Sequence, residues 1–93
     1  MKDISVTVRR GEDTFRTTVG QGERADRILL RSLENFGIDL DRKGEWRLRH
    51  RDQERTDHGV YLDRTVNEQM TDGAELVLEP RDAAARNPAT GSY

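Results

Sequence analysis

The first apolar positions of the chain alternate with polar ones: Ile4, Val6 and Val8 are separated by Ser5 and Thr7. A period of two sends successive side chains to opposite faces, so this run predicts a half-buried β-strand. Arg10-Gly11-Glu12-Asp13 supplies turn chemistry, with Gly11 able to take the positive φ of a tight hairpin. Alternation resumes with Phe15, Thr17 and Val19 against Thr14, Arg16 and Thr18, so residues 4–19 read as an antiparallel hairpin. Gly20-Gln21-Gly22 breaks the strand, and from Glu23 the period lengthens. Ala25, Ile28, Leu29, Ser32, Leu33 and Phe36 fall on one face of an α-helix. Arg24, Arg27, Arg31 and Glu34 lie on the wet side, and Leu30 sits off the apolar stripe. Glu23 and Asp26 stand near the positive end of the helix dipole, and Gly37 suits a left-handed C-terminal cap.

Ile38 and Leu40 are expected to fold back under the helix end, before a turn at Lys43-Gly44. Trp46, Leu48 and His50 alternate with Arg47, Arg49 and Arg51, a third strand with its arginines outward. Residues 52–59 are polar and read as a loop; Val60-Tyr61-Leu62 reads as a short strand or extended piece. Thr65 followed by Glu68 has the spacing of a capping box at the head of a helical turn. Asp72-Gly73 is a turn, Glu75–Leu78 the last strand, and Pro80 is expected to end its pairing. The order β-β-α-β-β-β predicts an α+β fold, in which the first and last strands pair in parallel and close a mixed sheet over the helix.

Composition narrows this further. A chain of 93 residues is one domain, with 32% apolar and 37% charged residues, so its core is thin and its surface highly charged. There is no cysteine, which removes disulfides, thiolate metal sites and cysteine nucleophiles, and is consistent with a reducing compartment. No stretch is long and apolar enough to span a membrane, and no apolar leader follows Met1, so a cytoplasmic location is expected. The 16 basic and 18 acidic residues nearly cancel to a net charge of −2, which gives no overall pull toward nucleic acid. Only two of the basic residues are lysines, Lys2 and Lys43.

The element order resembles the β-grasp fold of ubiquitin. The features that carry the likeness are the hairpin with Gly11, the helix ending in Asn35-Phe36-Gly37-Ile38, the strand after Gly44, and Leu76-Val77-Leu78. The strings GEWRLRHRD and TVNEQMTDGAELVLEPR resemble the small bacterial ubiquitin-like proteins found with type VII secretion, and those of bacterial ubiquitin-like conjugation systems. The resemblance covers residues 3–79. It implies a ubiquitin-like domain over residues 1–79 with a mixed sheet of four to five strands on one helix, followed by a flexible C-terminal tail at 80–93. The tail departs from both relatives. Ubiquitin and the sulfur carriers end in Gly-Gly shortly after the last strand, whereas this sequence has no Gly-Gly, and its one late glycine is Gly91. The type VII proteins generally stop soon after that strand.

Enzyme chemistry finds little support in the residues. His50 belongs to the inner face of the third strand and His58 to a polar loop, and a metal site needs more ligands than these. Asp39 with Asp41, and Glu12 with Asp13, read as solvated turn residues, since paired catalytic carboxylates need a shared cleft. No cofactor is expected. Trp46, Tyr61 and Phe36 read as core or core-rim side chains.

Two features remain for a non-enzyme. The stripe Arg47, Arg49, Arg51 replaces the apolar recognition patch that ubiquitin carries in that region with guanidinium groups suited to carboxylates, a candidate partner-binding site. The tail offers small residues around a glycine, Ala89-Thr90-Gly91-Ser92. Cleavage between Gly91 and Ser92 would expose an unhindered carboxylate, and from Pro80 to Gly91 the chain can reach at most ~36 Å. The resemblance therefore implies a protein modifier trimmed to Gly91 by a processing peptidase, adenylated by an activating enzyme and passed through a conjugating enzyme to targets. Lys2 and Lys43 are the acceptor lysines available for any polymer. The alternative is a non-covalent adaptor of type VII secretion or another membrane-associated complex, acting through the arginine stripe. In either case a monomer is expected, without nucleic acid or membrane insertion.

Overall fold

The front hairpin takes the register its alternation requires in the computed structural model, which describes residues 3–54 and 59–81. Strands β1 (Asp3–Arg10) and β2 (Asp13–Gly20) pair antiparallel, with Ile4 opposite Val19 and Val8 opposite Phe15. The turn between them holds Gly11 at φ 61°, a conformation other L-residues rarely adopt.

Helix α1 (Asp26–Asn35) starts three residues after Glu23, where the sequence pattern had begun. Glu23 is engaged elsewhere. Its carboxylate accepts from the Gly20 N–H at 2.8 Å, and its carbonyl accepts from the Val66 N–H at 2.8 Å. The N–H groups of Ala25 and Asp26 donate to the Arg64 and Leu62 carbonyls at 2.9 and 3.1 Å. The helix start is thus capped by backbone from a distant segment, which satisfies donors that a helix leaves unpaired. At the far end Gly37 turns with φ 70°, and the Ile38 N–H returns to the Leu33 carbonyl at 2.9 Å.

A 3-10 helix (Leu40–Glu45) occupies the stretch read as a simple turn, with Asp39 as its N-cap accepting from the Asp41 N–H at 3.0 Å. Strand β3 (Trp46–His50) follows, then a short 3-10 turn (Val66–Glu68) and strand β4 (Ala74–Pro80). At that turn the Thr65 N–H donates to the Glu68 carboxylate at 3.2 Å, one arm of the expected capping box. The sheet order is β2-β1-β4-β3. Strands β1 and β4 run parallel with Val8 opposite Leu76, and β3 lies antiparallel to β4 with Leu48 opposite Leu78.

Among the described residues the sheet has four strands, the lower of the two numbers expected, and 60–62 is the extended piece rather than a fifth strand. The Val60 N–H donates once to the Leu48 carbonyl at 2.8 Å, and Tyr61 then turns to the Gln69 amide, which bonds both its N–H and its carbonyl. Pro80 ends the pairing, as expected: it is the last residue of β4, opposite Trp46.

The core lies between α1 and the inner sheet face. Ile28, Leu29 and Leu33 pack there with Val6, Val8, Leu48, Leu76 and Leu78, all buried. Each such side chain contributes about 1.5–3 kcal/mol on burial. Ser32, in the same helical face, is fully buried and donates its hydroxyl to the Ile28 carbonyl at 2.7 Å.

Candidate functional site: the outer sheet face

Period-two alternation places one residue in two of each strand on the face away from the helix. On β3 these include Arg47 and Arg49, with Arg51 just beyond the strand end; on β4 they are Glu75, Val77 and Glu79. On β1 and β2 they include Arg9 and Arg16. The inner set carries Trp46, Leu48 and His50, as the sequence predicts, with His50 opposite Leu76 and half-buried.

The three arginines of the stripe do not share one environment, and this changes the expected site. Glu79 is 4% exposed, and its two carboxylate oxygens each take a guanidinium. Arg47 Nε donates at 2.7 Å and Arg49 Nε at 3.2 Å. The arginine side chains are only 11% and 12% exposed. Arg49 also donates to the Gln53 and His50 carbonyls. Gly59 is the neighbour on the edge side of Arg47: a Cβ there would lie 3.5 Å from an Arg47 terminal nitrogen. These two guanidinium groups are therefore committed within the protein. Arg51 is open, with a side chain 55% exposed, and pairs at 3.0 Å with Glu75, itself 52% exposed.

Sequence reasoning missed Glu79 as the hub and Arg9 and Arg16 as open cations of the same face. The signal was present in both cases. Glu75 and Glu79 share the outward set of their strand, and Arg9 and Arg16 share that of the hairpin, but cross-strand neighbours appear only once the register is known. The carboxylates that meet the stripe in the ion pairs at 2.7–3.2 Å stand on β4.

The remaining candidates are separated from this face. Lys43 is exposed in the 3-10 helix beside Arg42, whose guanidinium meets Glu45 through two bonds of 3.0 Å. That hydrogen bonding holds the Glu45 carboxyl below its ordinary value. Lys43 also borders a depression lined by Leu29, Leu30, Leu62, Arg24 and Arg81. At the exit of β4, Arg81 Nε donates to the Trp46 carbonyl at 3.3 Å. Lys2, His58, Gly91 and Ser92 lie outside the described residues, as does most of the tail from 82 onward. Among the described residues no cluster of three or more potential metal ligands occurs, and no helix is long and apolar enough to cross a membrane.

Trp46 faces inward, as expected, with consequences the sequence did not show. Its ring has the Arg10 guanidinium 5.4 Å from the centroid, and Arg10 also stands 5.9 Å from the Phe36 ring. The indole N–H is buried and has no hydrogen-bond partner among the described residues.

Comparison with solved structures gives the architecture its name. The ubiquitin-like domain of an Arabidopsis thaliana protein superimposes with a TM-score of 0.64 at 20% identity, over 87% of this chain and 80% of that one. Ubiquitin from Caldiarchaeum subterraneum gives 0.67 at 12% identity, over 86% of this chain and 95% of that one. The ubiquitin-like domain of Plasmodium falciparum Dsk2 gives 0.66 at 12% identity, over 85% and 99%. The fold is a ubiquitin-like β-grasp. No family model and no curated protein sequence matches the chain.

Proposed function

We propose that this ubiquitin-like domain is a non-enzymatic protein modifier, attached to targets through its C-terminal tail. The observation that carries the proposal is where the chain leaves the fold. β4 is an interior strand, hydrogen-bonded to β1 on one side and β3 on the other, and it delivers the chain at Pro80 and Arg81, both exposed. The sequence beyond them includes Gly91 among small residues.

A peptidase cleaves after Gly91. The new carboxylate attacks the α-phosphate of ATP on an activating enzyme, releasing pyrophosphate and leaving an acyl adenylate. A cysteine thiol of the activating enzyme displaces AMP to form a thioester, a cysteine thiol of the conjugating enzyme displaces the first thiol, and a target amine finally displaces the second thiol to form an amide. The chain has no cysteine, so both thiol nucleophiles come from partners. Glycine favours each attack because no side chain shields its carbonyl carbon.

Mass spectrometry of the protein from its native cells tests this. Species ending at Gly91, and lysine adducts bearing it, are expected. A population retaining Ser92 in every molecule, with no adducts, overturns the proposal.

A second reading, a non-covalent adaptor such as an accessory of type VII secretion or of another membrane-associated complex, is favoured by the open arginines on the sheet face. Deletion of residues 82–93 separates the two: a modifier loses function, and an adaptor keeps it.

A further inference from the structure

The outer sheet face carries five guanidinium groups, Arg9, Arg16, Arg47, Arg49 and Arg51, against three carboxylates, Asp3 at the start of β1 and Glu75 and Glu79 on β4. It is thus net positive on a chain whose net charge is −2, so the molecule is electrically two-sided. The pairing within the face is uneven. Glu79 and Glu75 answer the β3 side, while Arg9 and Arg16 on the hairpin side are exposed and make no ion pair among the described residues. Arg16 is steered rather than neutralised: its Nε donates to the Ser5 hydroxyl at 3.2 Å.

The registers lay these groups out in rows. Arg16 stands opposite Thr7, Thr7 opposite Glu75, and the Arg51 N–H bonds to the Glu75 carbonyl at 3.0 Å. In the next row Arg9 and Arg49 flank Val77. Thr7 and Val77 stand between the hairpin cations and β3, Glu75 stands beside Arg51, and the row from Arg16 to Arg51 spans three strand spacings, roughly 14 Å.

We propose that this face docks an acidic, extended segment of a protein partner, with Arg9 and Arg16 as its open cations and Arg51 at the far margin. Guanidinium groups take carboxylates through paired hydrogen bonds, and a row of this width matches about four residues of extended chain. A nucleic-acid strand fits less well. Among the described residues no aromatic side chain stands on this face to stack a base, and the net negative remainder of the molecule repels a long polyanion. The proposal does not rest on residues 82–93, so it stands or falls apart from the modifier reading.

The test is amide chemical-shift mapping of the full chain with a blocked, alternating Glu-Ser peptide of about ten residues, longer than the sheet is wide. A Lys-Ser peptide and an oligothymidylate of equal length serve as comparisons. Shifts are expected along β1, β2 and the outward positions of β4, with affinity falling as salt is raised. Arg9→Glu combined with Arg16→Glu should weaken binding about tenfold or more, and Arg27→Glu on the helix should leave it unchanged. The mapping uses the unaltered protein, so it decides even if the double variant folds poorly. Shifts on the helix side, no binding at low salt, an unchanged affinity in a folded double variant, or tighter binding of the oligothymidylate would each overturn the proposal.

Discussion

Replacing Glu79 with alanine tests how the covered end of the sheet is held. The carboxylate is 4% exposed and faces two guanidinium groups whose side chains are 11% and 12% exposed. Its removal takes from both guanidinium groups the buried carboxylate they share. Breaking a buried pair from one side costs about 3–5 kcal/mol, because the stranded charge keeps its desolvation penalty. Arg49 retains the Gln53 and His50 carbonyls, so the expected loss is near the lower end, about 3 kcal/mol. For a domain of this size that lowers the melting temperature by roughly 12 °C or more. Glu75→Ala is the internal reference. It removes the partner of Arg51 from a pair that is 55% and 52% exposed, and should cost only about 0.2–1 kcal/mol. Urea denaturation followed by far-ultraviolet circular dichroism measures both, with the slope against urea expected to stay constant. Replacing Arg47, Arg49 and Glu79 together with methionine should recover most of the loss, since an apolar cluster avoids the desolvation of all three charges. If Glu79→Ala and Glu75→Ala prove equally mild, the idea that burial sets the strength of these pairs is wrong.

Three further substitutions probe local geometry, each read by the same denaturation assay. Gly59→Ala should destabilise by about 2 kcal/mol or more, because φ is 80° and the new Cβ would fall 2.7 Å from the Leu48 carbonyl oxygen that also accepts from Val60; a neutral result would refute that close approach. Trp46→Phe removes a buried N–H without a partner among the described residues while keeping a ring beneath Arg10, so lost area and relieved desolvation nearly cancel and the change should stay within about 1 kcal/mol. Ser32→Ala exchanges a hydroxyl that back-bonds to the Ile28 carbonyl for the best helix former, and should be neutral or stabilising by a few tenths of a kcal/mol.

The parts legible in the sequence were those that depend on local periodicity. The hairpin about Gly11, the apolar helical stripe through Leu33, the strand Trp46–His50 and the partial capping box at Thr65 all appear where the pattern places them. Where the pattern left the structure open, tertiary contacts chose. The helix starts three residues after Glu23, whose carbonyl is taken by Val66 from a distant segment, and residues 60–62 take the extended form because Gln69 holds Tyr61. Periodicity states the faces of an element and not which backbone groups from other segments meet its ends. The arginine stripe was placed on the correct face, yet its chemistry was misjudged for the same reason: alternation states which way a side chain points, not which strand lies beside it.

By itself, then, the order of apolar and polar residues determined the elements, their inward faces and the grasp-like arrangement, because backbone geometry converts periods of two and 3.6 directly into faces. Only the tertiary structure decided which charges are spent and which are free. Antiparallel pairing of β3 with β4 brings Glu79 between Arg47 and Arg49 and turns two of the three stripe arginines into parts of the framework. Pairing across the hairpin leaves Arg9 and Arg16 open on the same face. A charge acts on its surroundings according to distance and dielectric, and both are set by chain segments brought together from more than thirty residues apart.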